Sequence, residues 1–160
     1  MQQYLYLIKR EKQDDNSFKL IKKFLYWLTF DLASDIASVK ENLYRNERDE
    51  KVISLRSKNV TLEQVGKALN VSRERVRQIE NKVRLRFSRN VSVKKLMKKI
   101  YAIRGGNAVL SPVMLQEYFG DDAGVFLYLL RVISSPDYVY DSEYDVFIVE
   151  QTMIKESYDG

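Results

Sequence analysis

A chain of 160 residues that is 45% hydrophobic and carries a net charge of +5 is long enough to bury one ordinary core or two small ones. It contains no Cys and no His, which removes disulfides, thiolate and imidazole nucleophiles, and the usual zinc ligand sets. No segment approaches membrane-spanning length, and the early apolar run from Tyr4 to Ile8 has no small-residue cleavage site behind it.

These exclusions leave a soluble, cytoplasmic protein as the expectation, with no metal site and no cofactor. The charge is unevenly spread. Residues 1–72 hold 13 basic and 10 acidic groups, residues 73–104 hold 12 basic groups against Glu74 and Glu80, and residues 105–160 hold Arg131 and Lys155 against ten acids. One segment is suited to polyanions and the tail is not.

In chain order, Ile21, Phe24, Leu25 and Leu28 recur at helical spacing, and Leu32, Ile36, Val39 and Leu43 do so after the cap Asp31. Bases could stack on the rings of FLYWLTF, but Phe24, Leu25 and Leu28 sit at core spacing and only Tyr26 and Trp27 fall outside the stripe. That stretch therefore reads as core or as a partner surface. Asn46 precedes ERDEKVISLRS, where acids in the first turn suit the positive end of a helix whose apolar side is Val52, Ile53 and Leu55.

Thr61 and Gln64 then form a capping box, ahead of an apolar side of Leu62, Val65, Ala68 and Leu69. Asn70 tolerates the left-handed turn that ends this helix. Ser72 caps the next one, so a turn of about three residues joins the two as a helix-turn-helix.

The helix after Ser72 has two distinct sides. At a hundred degrees per residue, Arg73, Glu74, Arg77, Gln78 and Asn81 share one face, while Val76, Ile79, Val83 and Phe87 occupy the other. Arg, Gln and Glu are the residues that pair with guanine, adenine and cytosine edges in the major groove. Arg75, Lys82 and Arg86 lie at the flank, where charge would meet phosphates.

The stretch TLEQVGKALNVSRERVRQIENK resembles region four of bacterial RNA polymerase sigma factors of the housekeeping family, and RDEKVISLR resembles the helix before that motif. The similarity covers roughly residues 47–88. It implies that the second helix reads a minus-thirty-five promoter element through Arg73, Glu74, Arg77 and Gln78, that Lys82 and Leu62 stand at backbone-contacting positions, and that the domain docks on the flap of the polymerase beta subunit. The sigma regions that bind the polymerase clamp and melt the promoter have no counterpart here. The chain thus reads as a sigma-like regulator or as the N-terminal piece of a longer protein, associated with the nucleoid.

After Ser92 a basic helix carries Leu96, Ile100 and Ile103 and stops at Gly105-Gly106. Beyond it, Ser-Pro opens SPVMLQEYFG, DDAGVFLYLLRVI forms a second apolar helix with Asp121 and Asp122 at its positive end, and DYVYDSEYDVFIVE alternates like a hairpin. Asp141, Glu143 and Asp145 alternate like a calcium loop, yet Val146 and Thr152 stand where such a loop needs Gly and Glu, so a solvated turn is expected. Gly105, Gly106, Gly120 and Gly124 read as helix ends.

Together these predict a mainly α fold, a helical bundle with a helix-turn-helix, followed by a small winged-helix-like domain with a β-hairpin. The divisions are N-terminal helices over 1–45, the helix-turn-helix domain over 46–90, a basic linker helix over 91–104 and an acidic winged-helix-like domain over 105–160. The function expected is sequence-specific binding of promoter duplex DNA, without enzymatic activity or membrane contact. The alternative is an adaptor that grips RNA polymerase or a sigma factor without reading sequence. The acidic domain is expected to contact protein, with Tyr138, Tyr140 and Tyr144 as candidate contacts, some of which strand alternation places in the core.

Overall fold

A computed structural model of the protein describes residues 32–106 and 108–149. The helix expected around Ile21 to Leu28, with Tyr26 and Trp27, and the Asp31 cap lie outside the described residues. Residues 32–43 are helical (α1) and bury Leu32, Val39 and Leu43. They are followed by α2 (Glu47–Ser57), α3 (Leu62–Leu69), α4 (Arg73–Arg89) and α5 (Val91–Ile103). Then come β1 (Val109–Leu110), α6 (Pro112–Phe119), a 3-10 turn (Gly120–Asp122), α7 (Ala123–Val132), β2 (Tyr138–Asp141) and β3 (Val146–Val149).

The caps explain the boundaries. Asn46 accepts from the amide of Asp49, Thr61 and Gln64 complete both bonds of the capping box, Ser72 accepts from the amide of Arg75, and Ser111 accepts from Met114 with Pro112 in the first turn. Asn70 closes α3 at φ 56 and ψ 46, in the left-handed region. Two expectations need correction. Ala68 faces solvent and Gly66 takes the inner position. Gly124 lies inside α7 rather than at a helix end, because the acids before it form the 3-10 turn and Asp122 makes no side-chain cap bond.

The three strands form an antiparallel sheet in the order β1-β3-β2, with Val109 opposite Ile148 and Val139 opposite Ile148. With α5 ahead of β1 and with α6 and α7 before the β2-β3 hairpin, this is a winged-helix arrangement. Leu110, Tyr138, Phe147 and Val149 point inward along the strands. Of the three tyrosines Tyr138 is the core member, buried and donating from its hydroxyl to the carbonyl of Leu130 at 2.6 Å. Tyr140 is half-buried and Tyr144 is exposed.

The apolar interior has two parts. A large cluster joins Leu43, Val83, Phe87, Leu96, Ile100, Phe126, Leu129 and Phe147, and a small one contains Val52, Val65, Val76 and Ile79. Phe87 meets Phe126 edge to face, with ring centroids 5.9 Å apart. α7 consequently packs against both α2 and α4.

Candidate nucleic-acid interface

The arrangement of α3 and α4 follows from one close approach. A Cβ on Gly66 would lie 2.7 Å from the carbonyl oxygen of Val71, so only glycine lets the turn pack this tightly against α3. The Val71 amide in turn donates to the Gly66 carbonyl at 2.9 Å. This fixes where α4 begins.

α4 then presents two faces. Val76, Ile79, Val83 and Phe87 are buried, whereas Arg73, Glu74, Arg75, Arg77, Gln78, Asn81 and Lys82 are exposed. Arg73, Glu74, Arg77 and Gln78 therefore stand together on the outer surface of the N-terminal half of the helix. They are partly engaged with each other. Arg77 forks onto Glu74, with Nε to Oε2 at 2.9 Å and Nη2 to Oε1 at 2.5 Å, and Arg75 donates to the Gln78 side-chain oxygen at 3.4 Å. The hydrogen bond from Arg77 holds the Glu74 carboxyl below its ordinary pKa, and the same bond raises that of Arg77.

The flanking residues divide. Lys82 is exposed, but the expectation that Arg86 meets phosphates is corrected. Its Nη1 donates to the Leu43 carbonyl at 3.2 Å and to Asp49 Oδ2 at 3.1 Å. Asp49 is buried, and a buried carboxylate at the edge of the core stripe draws the nearest guanidinium inward. The Leu62 side chain is half-buried against the small core and lines the open hollow beside it, so part of it and the helix end around it remain available outward.

Sequence reasoning missed Glu80. It is 3% exposed and binds Arg56 Nε at 3.1 Å and Arg84 Nη2 at 2.8 Å, while the Tyr128 hydroxyl donates to it in a short bond. Arg56 also donates to the Val60 carbonyl at 2.8 Å, and Arg84 to the Tyr128 oxygen at 3.1 Å. Burial first, then the bond to Glu80, raises the Tyr128 pKa. This node ties α2, the loop before α3, α4 and α7 together. Its only sequence signal was an acid beside Ile79 with Arg84 four residues on.

Beside it, a hollow of about 480 Å³ lies between Arg56, Thr61, Glu63, Arg73 and Tyr128. It adjoins a groove along Lys67, Asn70 and Ser72, and both share Glu63 and Arg73. Open space thus runs along the N-terminal ends of α3 and α4, where backbone amides give a positive field. Among the described residues no group of acids could hold a metal ion and no helix is long and apolar enough to cross a membrane.

Residues 46–88 match the family model for sigma-70, region 4. The RNA polymerase sigma factor RpoD from each of two Helicobacter pylori strains is 49% identical over 57 residues, covering 32% of this chain and 8% of the relative. The chain therefore aligns to a small part of these relatives' length. No solved structure matches it. Residues 46–88 form a sigma-70 region 4-like helix-turn-helix domain.

Proposed function

We propose that the protein binds promoter duplex DNA in transcription initiation or its regulation, by placing α4 in the major groove. Arg73, Glu74, Arg77 and Gln78 face base edges, and Arg75, Lys82 and the N-terminal end of α3 around Leu62 face phosphates. The observation that carries this reading is the two-sided α4. One face is sealed into the core, and the other offers hydrogen-bond donors and acceptors at the mouth of a region 4-like helix-turn-helix. The open groove along the two helix ends gives a sugar-phosphate strand room to pass.

RNA polymerase is the proposed protein partner, since the relatives are RNA polymerase sigma factors. Docking on the beta flap follows as part of this proposal. The acidic part beyond Gly105-Gly106 also belongs to it as the part that acts on protein, although it shares one core with the helices before it. α7, the apolar helix of that part, is packed against α2 and α4. Acidic Asp141 and Glu143 on the hairpin would repel phosphates.

The test titrates fluorescent duplexes, one with a minus-thirty-five-like hexamer and one scrambled, with wild type and the Arg77→Ala, Gln78→Ala double variant. Wild type should prefer the hexamer, and the double variant should lose roughly tenfold to a hundredfold of that preference. Equal binding of both duplexes by wild type would overturn base reading and favour the adaptor. That second reading draws on the Glu74–Arg77 pair, which lowers the positive field of the exposed face.

A further inference from the structure

We infer that Glu74 is a selectivity element that withholds Arg77 from DNA of arbitrary sequence. The inference rests on the proposed placement of α4 against DNA and concerns a different quantity, the binding of the wrong sequence. Arg77 meets Glu74 through two parallel bonds at 2.9 and 2.5 Å, one helical turn apart, and both side chains are exposed. Arg73, Arg75 and Lys82 on the same helix have no carboxylate within ion-pair distance among the described residues. Arg77 alone of these four cations is neutralised before DNA arrives.

The position of Glu74 keeps its charge in place. It lies in the first turn of α4, where the helix end favours an anion, and the bond from Arg77 lowers its pKa further. Arbitrary duplex offers Arg77 only phosphates. Taking one would strand the Glu74 carboxylate beside a polyanion, and like charge opposes that.

A matching sequence offers both partners replacements. Arg77 can donate two bonds to guanine while Glu74 accepts from a cytosine amino group. The pair is then exchanged as a unit and neither member is stranded. Because exposed ion pairs are weak, the barrier against wrong sequences is modest, and the exchange on the right one is easy.

The experiment is a double-mutant cycle on the scrambled duplex, measuring affinity against salt for wild type, Glu74→Gln, Arg77→Gln and the double variant. Circular dichroism checks that each is folded. Glu74→Gln should bind scrambled DNA roughly two- to fivefold more tightly, with a slope of log affinity against log salt steeper by about one. Arg77→Gln should weaken scrambled binding, because it leaves the Glu74 carboxylate unpaired beside phosphates, and in that background Glu74→Gln should relieve the repulsion without steepening the salt slope, since no cation is freed. If Glu74→Gln steepens the salt slope equally whether or not Arg77 is present, the effect is general charge and the inference falls. A wild type that does not prefer the hexamer would sink base reading, and the cycle would still decide the gate, because it uses only the scrambled duplex.

Discussion

Glu80 shows how a single residue can hold four segments. It sits under the reading helix with Arg56, Arg84 and Tyr128 around it, and Arg56 passes the constraint on to Val60 in the loop before α3. Removing the carboxylate leaves two guanidinium groups without their anion. The Arg56 and Arg84 side chains keep 22% and 32% exposure, so water relieves part of this cost. Glu80→Ala should lose about 3 kcal/mol in urea unfolding, at the lower end for breaking a buried pair, and Tyr128→Phe about 1 to 2 kcal/mol. Equal, negligible losses would show that the node is ornamental. None of this was readable from the sequence beyond Glu80 and Arg84, because Arg56 and Tyr128 lie 24 and 48 residues away. Arg86 failed for the same reason, since its wheel position is marginal and the long-range partner Asp49 decides it.

At the scale of elements, legibility followed the caps. Thr61 with Gln64, Asn70 and Ser72 mark their helix ends through local bonds, so α3 and the start of α4 were readable to within a residue. Ser111-Pro112 marked α6 equally well. The start of α7 was not readable, because Gly120 at φ +58 lets the chain turn through a 3-10 segment first.

The hairpin alternation was legible, but its anchoring was not. Arg131 on α7 donates Nε and Nη2 to Asp145 at 3.0 and 3.1 Å, and the Tyr140 hydroxyl donates to the same carboxylate at 2.7 Å. The bonds from Arg131, then Tyr140, hold the Asp145 pKa below its ordinary 3.8. A depressed carboxylate stabilises the fold above its unfolded pKa and loses that contribution as pH falls through the lower folded value. The hairpin anchor should therefore survive mild acid and release below pH 3.8. Carboxyl NMR titration should show Asp145 moving back towards the ordinary value in Arg131→Gln, and no movement would assign the shift to another cause.

Across the whole molecule, the charge asymmetry visible in the sequence is partly settled inside the fold. Lys40 pairs with Asp122 at 3.0 Å, Lys94 with Asp137 at 3.6 Å and Lys99 with Asp35 at 2.5 Å. Two lysines of α5 thus face acids of this chain, whereas Arg73, Arg75 and Lys82 of α4 have no carboxylate within ion-pair distance among the described residues and are left for a partner. The fold class and the helix-turn-helix were legible because local periodicity and caps encode them. The merging of one core across Gly105-Gly106, through Phe87 and Phe126, was not, since edge-to-face contact between distant helices has no local signature.

α4 belongs to both interior clusters. Val76 and Ile79 rest in the small one, and Val83 and Phe87 in the large one, along a rod of 17 residues. α3 reaches only the small cluster, through Val65. Local opening should therefore cost far less for α3 than for α4. In native-state hydrogen exchange the amides of α3 should exchange by local opening, and those of the C-terminal half of α4 only with global unfolding. Equal protection of both would contradict this. If the gradient holds, the brace beneath the reading helix can breathe while the helix itself persists, so transient opening there interrupts a complex without erasing the surface that must be found again.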